Sequence, residues 1–212
     1  MKLRLLQSLG QLGPFGARSR ASSIPVAKSS GALRMRHWEL APYAILDVEA
    51  DIDVVWRPGP PKARLRLRES LLKHLKLEQA EDTLSVSSAF DFDGERPVLE
   101  LSGERLLEAR LGASCQATLL DLRSGMLIVS ACDRAGLRAQ GHARELHVVA
   151  SEEATVDCAS LVCEIAIAEL SGDSVALLRA ESALQAEARD RCHLLSIGSP
   201  RIFEVRRARG EE

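Results

Sequence analysis

A chain of 212 residues that is 46% hydrophobic and 27% charged can bury one sizeable core, which excludes a wholly disordered chain and leaves little room for two domains. Aromatic residues are only 3%, so stacked aliphatic side chains must fill that core, and no apolar run approaches the ~18 residues of a membrane-spanning helix. Residues 1–38 hold seven of the 28 Lys/Arg and no acid; the other 21 bases meet 30 acids, and a body at −9 argues against nucleic acid as partner, because phosphate binding needs clustered bases.

Residues 1–40 are basic, rich in Arg, Ser, Gly and Leu, and broken by Pro14 and Pro25. Leu3, Leu5, Leu6, Leu9 and Leu12 are interrupted by Arg4, Gln7, Ser8, Gly10 and Gln11. A secretory signal needs about 7–15 uninterrupted apolar residues, so the composition fits an organelle transit peptide or a misassigned start better. The expected organisation is a basic leader over 1–40, a folded domain over 41–207 and a charged tail over 208–212.

From Ala44 the pattern becomes strict alternation. Ala44, Leu46, Val48, Ala50, Ile52, Val54 and Trp56 point to one side, with four acids among the intervening positions. This predicts a half-buried strand, bent near Ala50. Arg57-Pro-Gly-Pro-Pro61 forces a turn, and Ala63, Leu65 and Leu67 alternate with Arg64, Arg66 and Arg68 in a second strand. Paired beside the first, its basic face would neutralise the acidic one. Residues 69–78 read as a short helix or a connecting turn, Asp82–Ser87 as a return strand, and Asp91–Glu95 as an Asp-Gly turn rather than a calcium loop, whose other ligands are missing.

Beyond residue 123 the apolar positions recur every nineteen residues. One ladder is Leu127, Leu146, Ile165, Leu184, with Val129, Val148, Ile167, Ala186 two places along. A second is Leu137, Val156, Val175, Leu194, with Ala139, Cys158, Leu177, Ser196 beside it. The strands are joined by small or charged corners at Ala131–Ala135, Ala150–Ala154, Leu170–Ser174 and Ala188–Arg191. The chain has no Asn, so corners needing a positive φ fall to Gly, Asp or a strained residue. A fixed period of this size marks a solenoid. It is too short for two helices per repeat and is not a multiple of the six-residue hexapeptide repeat. The predicted fold is an all-β, single-stranded, right-handed parallel β-helix with coils of about 19 residues.

In the order of its motifs the chain resembles the GIN-domain family of auto-transporter adhesin heads. The resemblance runs from Tyr43 to Arg207: Tyr43–Val55 matches the entry strands, Leu71–Leu75 and Asp82–Val86 the leucine-then-return-strand segment, Leu106–Ser114 and Leu170–Asp173 the small-residue corners, and Ile197–Pro200 the closing coil. It implies a right-handed β-helix, commonly exported to the cell envelope, with no established enzymatic activity.

The outward corner residues Asp133, Arg134, Glu152, Glu153, Asp173, Asp190 and Arg191 form the candidate surface. They lack the inserted loops that would build a catalytic cleft over them. The five histidines have no metal-ligand spacing, and no Gly-x-Ser-x-Gly elbow occurs. The five cysteines are odd in number and lack a CxxC pair, so they read as buried thiols, with Cys158 and Cys163 approaching around a corner. No catalytic residue, cofactor or metal is therefore expected. The expected function is non-catalytic binding of a protein or glycan ligand. The alternatives are a self-assembling, homo-oligomeric scaffold, which the charged C-terminal tail discourages, and a polysaccharide-acting enzyme on a β-helix face.

Overall fold

The computed structural model describes residues 26–28, 30–93 and 96–208. Its strands stack in parallel into a β-solenoid of about five turns. The alternating stretch after Ala44 forms β3 (Ile45–Glu49) and β4 (Asp53–Pro58). They are separated at the expected bend, where the Ile52 amide donates to the Ala50 carbonyl at 3.0 Å in a three-residue turn. The Pro-rich turn leads to β5 (Lys62–Arg68), a 3-10 turn at Glu69–Leu71, and then β6 (Leu75–Ala80) and β7 (Thr83–Ser88). Next come β8 (Asp91–Asp93), β9 (Val98–Gly103) and β10 (Glu108–Gly112). Gly94 and Glu95, part of the expected Asp-Gly turn, lie outside the described residues. Four long strands carry the regular coils: β11 (Gln116–Ala131), β12 (Gly136–Ala150), β13 (Thr155–Leu170) and β14 (Val175–Arg189). β15 (His193–Ile197) and β16 (Ile202–Ala208) close the series.

Two ladders run the length of the stack because each long strand bends and pairs twice. The first follows the order β6-β7-β3-β10-β11-β12-β13-β14-β16, through the later part of each long strand. In the second, the opening part of β11 pairs β4, followed by β9 and β5, and β15 closes the opposite end. The coil made by β3 and β4 is out of chain order, held between the β7/β9 coil and the β10/β11 coil that follow it in sequence.

The core is a set of side-chain columns. One runs Leu84, Leu46, Ala109, Val129, Val148, Ala168 and Ala186, all 7% exposed or less. Another runs Leu99, Val54, Ala117, Leu137, Val156 and Ala176. Large and small residues share each column, which lets an almost purely aliphatic set fill the interior without voids. Each fully buried Leu or Val contributes on the order of 2 kcal/mol.

Several expectations need correcting. The ladders slip by one residue in the third and fourth coils. Leu146 pairs with Ala166, not Ile165, and Val148 with Ala168, not Ile167. Val156 pairs with Ala176, not Val175, and Cys158 with Leu178, not Leu177. The four expected residues face outward and are half-buried. The cause is a bulge where Arg138 and Asp157 are partners but the next recorded pair is Gln140 and Ser160. A one-residue slip moves a strand's whole set of side chains to the opposite face.

The N-terminal end also departs from a purely parallel helix. β5 pairs antiparallel with β9 and with β2 (Leu33–Glu39), and β6 pairs antiparallel with β7. The basic face of β5 therefore does not lie beside the first strand, as expected, but between β9 and β2. β2, and β1 (Val26–Lys28) paired with β8, fall inside the stretch read as a leader, so paired backbone begins before residue 41. Residues 1–25 and 209–212 lie outside the described residues, while Ala208, assigned to the tail, ends β16.

Candidate binding surfaces

The expected corner residues do stack at one corner of the solenoid, in two columns set by turn geometry. Four successive turns carry an i to i+3 hydrogen bond, from Cys115 N to Gly112 O, Ala135 N to Cys132 O, Ala154 N to Ser151 O and Ser174 N to Ser171 O, at 3.1–3.4 Å. The second residue of each is left-handed: Ala113 (φ 53°), Asp133 (55°), Glu152 (58°) and Gly172 (67°); Asp190 (61°) continues the column. In a chain without Asn only one of these five positions is glycine. The neighbouring column is Arg134, Glu153, Asp173 and Arg191, whose amides donate to the carbonyls of Ala113, Asp133, Glu152 and Gly172 of the preceding coil at 2.7–3.0 Å. The backbone ladder thus runs through the corner without a break.

The corner side chains serve the same ladder. Asp133 Oδ2 accepts from the Ala113 amide at 2.8 Å, and Asp190 Oδ2 from the Gly172 amide at 3.0 Å. Arg191 grips Asp173 with two bonds of 2.7 Å in a solvent-exposed pair, which water screens strongly. The Glu152 pKa is raised first by desolvation and then by the neighbouring Asp133 charge. Asp133 and Asp190 thus cap backbone amides of the neighbouring coil.

Among the described residues no three His, Cys, Asp or Glu side chains are grouped to hold a metal ion. Cys158 and Cys163 are buried; desolvation raises both thiols, that of Cys163 to about 11, and Cys163 donates to the Arg179 carbonyl at 2.8 Å. Desolvation also raises Cys115 and Cys132 to about 12. Protonated thiols are poor nucleophiles and poor metal ligands. Among the described residues no helix is long and apolar enough to cross a membrane.

A surface that the sequence did not single out as a site lies on the second ladder, at the N-terminal end. Lys62, Arg64, Arg66 and Arg68 project from β5 in a row, about 7 Å apart. Arg57 projects from β4 on the same face, one strand beyond β9. Lys62 and Arg64 reach Glu39 and Glu100 at 3.4 Å in exposed pairs, whereas Arg57 and Arg66 make no ion pair with the described residues. Between β4, β9 and β5 the face dips into an open groove of about 540 Å3, lined by Val55, Arg57, Lys62, Arg64 and Glu100 among others. On β2, Leu33 stands opposite Arg68 and Met35 opposite Arg66, and both are about half exposed. The signal was present in the Lys-x-Arg-x-Arg-x-Arg alternation, but assigning β4 as its partner cancelled its charge on paper.

Comparison with solved structures places the fold. The chain resembles a putative adhesin from Bacteroides fragilis, with a TM-score of 0.71 and 11% identity over 86% of this chain and 96% of that one. A putative adhesin from Parabacteroides distasonis matches with a TM-score of 0.54, 13% identity, and 87% and 100% coverage. A putative lipid binding protein from Parabacteroides distasonis matches at 0.55 and 11%, covering 86% and 96%. At these identities the likeness is one of fold. No protein-family model and no curated protein sequence matches the chain.

Proposed function

We propose that this protein is a non-catalytic binding module that presents the flat outer faces of its β-solenoid to a partner, in the manner of an adhesin head. The observation that carries this reading is the second ladder's outer face, where charged and apolar side chains stand exposed with none of the described loops folded over them. Such a surface can hold an extended partner at many weak contacts but cannot exclude water from a reacting bond. The names of the structural neighbours support a binding role, and the motif order supports the GIN-domain family among such proteins.

The test is to immobilise the full chain and challenge it with panels of glycans, extracellular proteins and lipids. Saturable retention of one class without turnover is the expected result. No retention of any class would overturn the reading. So would consumption of a polysaccharide that is lost in Asp133→Asn or Glu152→Gln. One observation favours a second reading, a scaffold joined through its ends. Phe203 and Val205 continue the core columns into β16 but remain 57% and 39% exposed. Light scattering on eluted full-length chain separates the two, since a scaffold grows with concentration and a discrete binder does not.

A further inference from the structure

We infer that the β2/β5 end of the second ladder's outer face is a docking surface for an anionic lipid bilayer, an assignment that rests on the binding role proposed above and names its ligand. Three features combine there. Arg57, Lys62, Arg64 and Arg66 share the face with Glu39 and Glu100, which pair with Lys62 and Arg64, while Arg57 and Arg66 make no ion pair with the described residues, inside a chain whose net charge is negative. Leu33 and Met35 rise from the same face, 49% and 52% exposed, directly opposite Arg68 and Arg66. The buried side of β5, Ala63, Leu65 and Leu67, is anchored in the core, so the row of cations is held in place on the outer face.

The chemistry fits headgroups better than other anions. Each Lys or Arg near an anionic leaflet contributes ~1 kcal/mol, and aliphatic side chains between them enter the acyl boundary, where a soluble polyanion offers them nothing. A glycan site built on stacking would present aromatic rings. The only aromatic residue of β2, Trp38, lies opposite the buried Ala63 and packs against the core. His37, opposite Arg64, adds a donor to the row. Single-stranded nucleic acid would also call for exposed rings on this face.

The test is sedimentation of the full chain with vesicles of phosphatidylcholine alone and with about one-third phosphatidylserine. Binding is expected only to the second, weakening at least tenfold between ~0.1 M and ~0.5 M salt. The triple variant R57E, R64E, R66E changes only exposed side chains, and an unchanged melting temperature confirms its fold. It should bind at least tenfold more weakly while keeping Lys2, Arg4, Arg18 and Arg20, so retained binding would assign the effect to those residues and overturn the inference. Replacing Leu33 and Met35 by Ser should weaken binding severalfold without altering its salt dependence; no change would show a purely ionic contact and overturn the bilayer assignment. Equal binding to neutral vesicles would overturn it, as would dextran sulfate capturing the chain while charged vesicles do not. If vesicles fail while another panel ligand is still retained, only this inference falls; if every panel fails, the binding reading falls with it.

Discussion

The two halves of the solenoid reach the same cross-section by different routes. In β11 to β14 the chain stacks in the order it is written, and each residue rests on one about nineteen positions earlier, as Leu146 does on Leu127. In the N-terminal half Leu46 rests between Leu84 and Ala109, respectively 38 and 63 residues later in the chain. Nearest-neighbour stacking of consecutive coils produces a period that can be read from the sequence. Insertion of an early coil between two later ones produces the same packing with no period at all. The second route juxtaposes distant segments, and this is how the basic β5 comes to lie beside β2 and β9.

The largest expected effect tests the inward register of the regular half. Leu146→Ala empties a fully buried position between Leu127 and Ala166 and should cost about 3–4 kcal/mol, read by denaturant unfolding. Ile165→Ala, on the outer face, should cost about 1 kcal/mol or less. If Ile165→Ala proved the costlier of the two, the slip at the β12/β13 bulge would be refuted and the uniform nineteen-residue ladder restored. The same experiment on Leu46, also fully buried, sharpens the contrast through kinetics. Leu46→Ala should be equally destabilising, but its partners are far apart in sequence, so their contacts form late. The expected signature is faster unfolding with a nearly unchanged refolding rate for Leu46→Ala, against slowed refolding for Leu146→Ala. Equal refolding rates would show that the two halves assemble together.

The corner column offers a smaller test within the regular half. Gly172 and Glu152 occupy equivalent left-handed positions, but a Cβ on Gly172 would sit 2.7 Å from the Glu152 amide nitrogen. Gly172→Ala should therefore cost about 2 kcal/mol. Glu152→Gly removes an unfavourable φ and a like charge beside Asp133, and should raise stability by about 1 kcal/mol, net of the carboxylate it deletes. Destabilisation by both would mean that the Glu152 side chain holds the corner together more than its backbone strains it.

These contrasts show what was legible in the residues. The alternation after Ala44 and the recurrence of Leu127 and Leu146 reported strands, coils and corners correctly, because burial imposes period 2 along a strand and one coil length between strands. The missing Asn pointed to strained corners, and Ala113 and Glu152 are two of them. The register of the third coil was not legible. Ala131, Ala150, Leu170 and Ala188 stack at separations of 19, 20 and 18 residues, which average to the period but flip Ile165 and Val175 outward. A bulge changes which apolar residue points inward without changing how many there are. Ile165 beside Ala166 offered two candidates for one position, and hydropathy favoured the wrong one. The corner residues were placed correctly in space, yet their bonds to Ala113 and Gly172 identify them as supports of the turn. The basic row was visible as a pattern, but its free charge depended on knowing that β9 and β2, not β4, lie beside it.

The smallest effect concerns pH and separates the corner from the rest of the fold. Glu152 is held above the ordinary carboxylate range by desolvation first and by Asp133 second. Asp47 and Asp51 are raised as well, desolvation again leading, and both belong to the N-terminal half. An acid whose pKa is raised on folding stabilises the protein below its unfolded value, and that contribution is lost as pH rises through the folded value. Melting temperature should therefore decline as pH climbs from the ordinary carboxylate range toward neutrality. Glu152→Gln keeps the side chain's size but cannot ionise, so its decline should be shallower than that of the native chain. Asp47→Asn should flatten the same profile through the N-terminal half, and the two variants, which share no contact, should add. A Glu152→Gln profile parallel to that of the native chain would move the whole pH response to Asp47 and Asp51, away from the stacked corner and into the coil that is out of order.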